Sequence, residues 1–236
     1  MAESSSSAQS ESSSAHQSRE KGLADLLEEY DSAVAKHKFE LRLVRSHPPS
    51  KEFEDSQLEE YEVYKKYQMT VHKDPESKVT FSQFKNFLIS SPLVEETRHG
   101  VELGSFHYQY ILDGKIIAVE VMDILPQFIS SKYFFYDPAY DFLTLGTYST
   151  LRSIYFIQQL SQKLPSIQHY LMGFYIHSCL KMNTKLSSLR PTCSVQRLTC
   201  VPIEQCLPKL DVSKYSNCVM TLLKLMRRPQ ARMITN

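Results

Sequence analysis

The stretch 106–124, FHYQYILDGKIIAVEVMDI, constrains the fold more than any other part of this chain. Residues 106–112 alternate at the period of two that a strand requires. Asp113-Gly114 follows, a pair suited to the two positive-φ positions of a type I′ hairpin turn. Lys115–Ile124 then runs apolar. A hairpin of this kind commits the chain to an antiparallel pair of strands.

The neighbouring segments extend that sheet. Tyr133–Tyr136 reads as a third strand of the meander, leaving at Asp137-Pro138. Leu145-Gly146-Thr147 opens a long helix with Leu151, Ile154, Tyr155, Ile157 and Leu160 on its apolar stripe, ending near Pro165. His169–His177, HYLMGFYIH, is an aromatic strand. Strand–strand–strand–helix–strand describes an α+β mixed sheet with flanking helices and one crossover helix. Upstream, 20–37 has amphipathic helical spacing, and Phe39, Leu41 and Leu43 alternate as a strand that stops at His47-Pro48-Pro49. Residues 51–70 form a second helix with Phe53, Leu58, Tyr61, Tyr64 and Tyr67 as its apolar positions. Thr80 is placed to cap a short helix holding Phe84, Phe87 and Leu88, ended by Pro92.

Residues 3–18 are mostly Ser, Ala, Gln and Glu, a composition that cannot offset the entropy of ordering. The expected organisation is a disordered Ser-rich segment over 1–20, a helix and linker arm over 21–50, one domain over 51–217 and a basic tail over 218–236. The chain is 42% hydrophobic and 22% charged, enough for a core. No apolar run approaches the roughly 20 residues that span a bilayer, so no membrane association is expected. The net charge of +1 conceals an asymmetry. Residues 181–236 carry 10 Lys and Arg against 2 Asp and Glu. A basic end of this kind suits a polyanion, although solvated surface charge gives the same count. Five cysteines without a C-x-x-C pair fit neither a zinc knuckle nor a disulfide framework and read as reduced thiols.

Eight segments, in order and with compact gaps, carry a more specific message: YEVYKKYQ (61–68), FLISSP (87–92), GSFHYQYILDGKIIAV (104–119), DILP (123–126), FYDP (135–138), LGTYSTLR (145–152), YLMGFYIHSCLKM (170–182) and VPIEQCLPKLDVSKY (201–215). Together they resemble the C-terminal catalytic half of arginyl-tRNA–protein transferases. The resemblance implies a GNAT acyltransferase-like fold. It also implies transfer of arginine from arginyl-tRNA to proteins with N-terminal Asp or Glu, marking them for ubiquitin-dependent degradation through the N-degron pathway. A cytoplasmic location follows, with the nucleus as a second. The family's N-terminal cysteines, associated with an iron–sulfur cluster or haem, have no counterpart here, where the first cysteine is Cys179. No cofactor or metal is therefore expected in this chain. The alternative is a catalytically silent truncated form that binds tRNA or substrate. An acetyltransferase using coenzyme A is disfavoured, because no Q/R-x-x-G-x-G/A phosphate loop is present.

The implied reaction is aminolysis of an ester, which needs an acceptor for the amine's proton and a place for two large substrates. Asp123 leads the candidates for that base, or else it ends a strand at a turn. Tyr136 and His177 are next, His177 also fitting a core histidine. For tRNA or acceptor binding the candidates are Lys65 and Lys66, Tyr148 and Arg152 at the start of the long helix, Tyr170, Lys181 and Arg190. A helix start favours an anion such as a phosphate near the tRNA 3′ end. Arg152 could instead pair with a surface acid, Lys65 and Lys66 could be a solvated helix face covering a tyrosine stripe, and Tyr170 could be core.

Overall fold

The structure, a computed structural model, describes residues 23–28 and 36–171. Its centre is a six-stranded sheet of β1 (Phe39–His47), β2 (Glu96–Arg98), β3 (Val101–Leu112), β4 (Lys115–Ile124), β5 (Phe128–Tyr136) and β6 (His169–Leu171). The spatial order is β1-β3-β4-β5-β6, with the short β2 also paired to β3. Every pairing is antiparallel except β5 with β6, which run parallel. The expected hairpin joins β3 to β4, with φ 50° at Asp113 and 81° at Gly114 as a type I′ turn requires.

Among the described residues, four α-helices flank the sheet: α1 (Leu23–Glu28), α2 (Lys51–Tyr67), α3 (Phe81–Phe84) and α4 (Leu145–Lys163). Helices α2 and α3 continue as π turns over Gln68–His72 and Lys85–Ile89. Ser50 caps α2 by accepting from the Phe53 N–H, and Thr80 forms a capping box with Gln83. On one face of the sheet, Phe53, Tyr64, Tyr67, Phe84 and Leu88 pack on Val119, Val121 and Phe135. On the other, Ile157, Leu164 and Ile167 pack on Phe106, Met122, Ile124 and Ile129. Strand β4 is thus covered on both sides and buried from Ile116 to Met122, which is why its sequence does not alternate. Helix α4 is the crossover between the parallel strands β5 and β6, as the order of elements required.

Four expectations change. Residues 39–47 were placed in an arm, but they form β1 and pair with β3 from Phe39↔Leu112 to His47↔Ser105. They belong to the sheet because Leu41 packs beside Tyr110 and Val44 lies in the α2-side core. The third strand begins at Phe128 rather than Tyr133, since Ile129 pairs with Ile124 and fills the α4-side core. Leu58, expected on the apolar face of α2, is 65% exposed. The inward face runs through Phe53, Ser56, Glu60, Val63, Tyr64 and Tyr67, and two of its positions are polar, so an apolar pattern points to the wrong phase. Phe87, grouped with Phe84 and Leu88, is exposed and rests its ring against Tyr133. Of the two longer expectations, the helix over 20–37 is described only as α1 and the aromatic strand only as His169–Leu171. His177, Lys181, Arg190, all five cysteines, the Ser-rich segment and the tail lie outside the described residues. No helix among the described residues is long and apolar enough to cross a membrane.

Candidate functional site

Strand β4 presents acids to both faces near one end of the sheet. Asp123 continues the row of Val119 and Val121 toward the side of α2 and α3. Its Oδ1 accepts from Ser105 Oγ on β3 at 2.7 Å, and Ser105 Oγ is 2.7 Å from Ser91 Oγ, just beyond the π turn after α3. The β4–β5 ladder has a bulge at Val121/Met122 whose extra residue is Lys132. That bulge turns Lys132 Nζ to within 3.7 Å of Asp123 Oδ2. Preceding Ser105, Gly104 adopts φ 132°, which an L side chain rarely takes, and a Cβ there would lie 3.1 Å from Arg45 Nη1. Arg45 reaches past it to the Leu103 carbonyl and to Glu102.

Toward α4, strand β4 presents Glu120, which is 1% exposed. Ser153 Oγ of α4 donates to its Oε2 at 2.6 Å, and the Tyr170 hydroxyl of β6 donates to Oε1 at 2.7 Å. One carboxylate therefore ties the crossover helix and the parallel strand to the middle of the sheet. Burial, with the Glu120 charge adding to it, pushes the Tyr170 phenol well above its usual value. The Tyr110 hydroxyl lies on this face too and is buried with no hydrogen-bond partner among the described residues. Nearby, Arg152 Nε donates to the Tyr148 hydroxyl at 2.6 Å while its guanidinium lies 5.2 Å from the Tyr148 ring centroid. Arg152 Nη2 also donates to the Leu27 carbonyl of α1. Tyr108, stacked on Phe156, is pushed up to about 12 by burial, against the opposing influence of the Arg152 cation.

A third polar group is wholly interior. Glu60 of α2 meets His107 Nδ1 at 2.5 Å through Oε2 and accepts from Gln109 Nε2 at 2.5 Å through Oε1. His107 Nε2 faces the Leu88 carbonyl at 3.2 Å, and Gln109 Nε2 also donates to Ser56 Oγ. All three of Glu60, His107 and Gln109 are 0% exposed. The group fixes α2 and the turn after α3 to β3, directly beside the Ser91–Ser105 contact.

The residues singled out from sequence are thus separated. Tyr148, Arg152 and Tyr170 gather on the α4 face, and Arg152 is turned inward, 6% exposed. Asp123 sits on the opposite face. The Tyr136 hydroxyl donates to Asp141 Oδ1 at 2.6 Å. Burial, then that hydrogen bond, pushes the phenol up to about 12, so at neutral pH it is a donor. Lys65 pairs with Glu76 at 2.6 Å and Lys66 with Asp137 at 2.8 Å, so each lysine has an acid from the same chain. Glu120, Ser153, Ser91, Ser105, Glu60 and His107 were not anticipated. The one available signal was Glu120 itself, an acid in the middle of the apolar run IIAVEVM. No cysteine and no group of three or more His, Cys, Asp or Glu able to hold a metal occurs among the described residues.

Residues 59–192 match the family described as "Arginine-tRNA-protein transferase, C terminus", more than half of the 236 residues. The chain belongs to this family. The match to the arginine-tRNA-protein transferase C terminus begins within α2 and includes Ser91, Ser105, Glu120 and Asp123. The chain is 46% identical over 197 residues to arginyl-tRNA–protein transferase 1 of Drosophila melanogaster, covering 82% of this chain and 39% of that protein. It is 42% identical over 189 residues to arginyl-tRNA–protein transferase 1 of Arabidopsis thaliana, covering 76% of this chain and 28% of the relative. An aspartate/glutamate leucyltransferase of Pseudomonas putida is 31% identical over 157 residues, 64% of this chain and 56% of its own length. The chain thus spans less than two fifths of the two eukaryotic transferases.

Proposed function

We propose that this chain transfers arginine from arginyl-tRNA to the N-terminal Asp or Glu of acceptor proteins. The observation that carries the reading is the family match across α2 to β6, the part of the fold that holds both polar faces of β4. Support for the acidic acceptor comes from the leucyltransferase relatives, named for aspartate and glutamate. In the N-degron pathway such a product is passed to ubiquitin-dependent degradation, in the cytoplasm and nucleus.

The chemistry asks little of cofactors. An acceptor α-amine has an unperturbed pKa of about 7.7–8.0, so a useful share is neutral at physiological pH. Its nitrogen attacks the aminoacyl carbonyl carbon, the C–N bond forms, and the ester bond to the tRNA 3′-terminal ribose breaks. A carboxylate that takes the amine's proton contributes on the order of 10²–10⁴-fold. Asp123 fits that task, being a partly buried acid at the end of β4 held in one orientation by Ser105 and Lys132. Glu120, whose two oxygens are already claimed by Ser153 and Tyr170, serves to position α4 and β6. The basic residues 181–236, Lys181 and Arg190 among them, supply charge for the tRNA. Incubation with labelled arginyl-tRNA and an Asp-starting peptide tests the reading. Label in the peptide supports it, whereas binding of tRNA without transfer leaves a silent binding module.

A further inference from the structure

We propose that Asp123 acts through a wire of two serine hydroxyls, Ser105 and Ser91, and that Ser91 is the group that meets the acceptor amine. The proposal rests on the transferase reading and adds to it two catalytic participants. Ser105 Oγ lies 2.7 Å from both Asp123 Oδ1 and Ser91 Oγ. A hydroxyl has one hydrogen, so these two contacts cannot both be donations from Ser105. An ionised carboxylate only accepts. Ser105 therefore donates to Asp123, and Ser91 must donate to Ser105. Ser91 Oγ also accepts from the Leu93 N–H at 3.2 Å. One lone pair of Ser91 remains, on a residue that is only partly buried, while Ser105 is 2% exposed. The direction of all three groups is consequently set, from a reachable hydroxyl through a buried one to an acid.

Both serines are held from behind. His107 Nε2 faces the Leu88 carbonyl, which fixes the π turn that precedes Ser91, and Glu60 fixes His107. Gly104, with its positive φ and Arg45 Nη1 where a Cβ would lie, sets the backbone that leads into Ser105. The three members come from FLISSP, GSFHYQY and DILP, segments that are separate in the sequence and are brought together by the fold.

The step balances as follows. The neutral amine attacks the ester carbonyl, and the nitrogen becomes positively charged as the C–N bond forms. Its surplus proton moves to Ser91 Oγ, the Ser91 proton to Ser105 Oγ, and the Ser105 proton to Asp123 Oδ1. When the C–O bond to the ribose breaks, the same wire run backwards returns one proton to the leaving ribose oxygen. Protein and proton count end as they began.

The test uses the full chain in single-turnover transfer from labelled arginyl-tRNA to an Asp-starting peptide, with Ser91→Ala, Ser105→Ala, Asp123→Asn and the Ser105→Ala/Asp123→Asn double variant. Each single change is expected to slow transfer by on the order of 10²-fold, the usual range for a positioned base. The double variant should be no slower than the slower single, because both interrupt one wire. Ser91→Thr, which keeps the hydroxyl, should restore most of the rate, and tRNA affinity should stay within about twofold throughout. Transfer at the wild-type rate by Ser105→Ala, or losses that multiply in the double variant, overturn the wire while leaving the transferase reading intact. Absence of transfer by the unaltered chain defeats that reading instead. Urea midpoints then test the Ser105–Asp123 hydrogen bond apart from any proton transfer. The two single changes and the double must be non-additive there, because both singles remove the same hydrogen bond, and additive shifts overturn it.

Discussion

Replacing Glu60 by Leu should be among the most damaging single changes in the described part of the chain. The carboxylate is 0% exposed and receives two contacts of 2.5 Å, from His107 Nδ1 and Gln109 Nε2. Leucine fills most of the volume but leaves His107 Nδ1 without its partner in the interior and Gln109 Nε2 with Ser56 Oγ alone. Each orphaned donor costs about 1–3 kcal/mol, and breaking one side of a buried ionisable pair costs about 3–5 kcal/mol in all. The lower part of that range applies if Gln109 keeps its second contact with Ser56 Oγ at 2.8 Å. Urea unfolding at pH 7 and 25 °C, extrapolated linearly, measures the loss. A triple variant, Glu60→Leu with His107→Phe and Gln109→Leu, removes the stranded groups as well and should be less destabilised than the single change. A loss below about 1 kcal/mol for Glu60→Leu, or a triple variant worse than the single, would refute the network as drawn.

Three further outcomes follow from other parts of the molecule. Tyr110→Phe removes a buried hydroxyl that has no partner among the described residues and should stabilise the protein by about 1–3 kcal/mol; destabilisation in the same urea assay would show that the hydroxyl is bound. Burial pushes the Asp137 carboxyl up, yet the hydrogen bonds from Lys66 Nζ and the Ala139 N–H more than offset it and hold the group below its usual value. A depressed acid stabilises above its unfolded pKa of about 3.9 and loses that contribution as the pH falls through the lower folded value. Lys66→Met should therefore lower stability at pH 7 by under about 1 kcal/mol, given the half-exposed lysine, with the difference from the wild type vanishing toward about pH 2. Affinity for tRNA should fall steeply between low and high salt, because the basic end displaces counterions, and a flat salt dependence by filter binding contradicts that.

Local chemistry made the frame of the fold legible. Asp113-Gly114 demanded its turn, Thr80 its cap, and the proline pair after His47 the end of β1. Long-range covering of the sheet was not legible in the same way. Alternation in FHYQY suggests that His107 and Gln109 face water, but α2 lies over that face and makes them the most buried polar groups of β3. The same covering explains Leu58, since the inward phase of α2 is written partly in Ser56 and Glu60, which no apolar count recognises. Asp123 stands out in the sequence because it ends an apolar run. Its partners Ser105 and Ser91 were not, because a serine pair distant in sequence carries no local signature until the strands are in register. Family resemblance identified FLISSP and DILP as segments of interest, and only the fold showed that Ser105 touches a residue of each.

Arginyl transfer itself is the claim on which the rest depends, and intact-mass measurement tests it most directly. The full chain is incubated with arginyl-tRNA and two peptides that differ only in beginning with Asp or Asn. The account predicts that the Asp peptide gains the mass of one arginine residue at its N-terminus and that the Asn peptide remains unchanged. No gain on either peptide, with arginyl-tRNA still bound, contradicts the transferase reading, and equal gain on both contradicts the acidic acceptor.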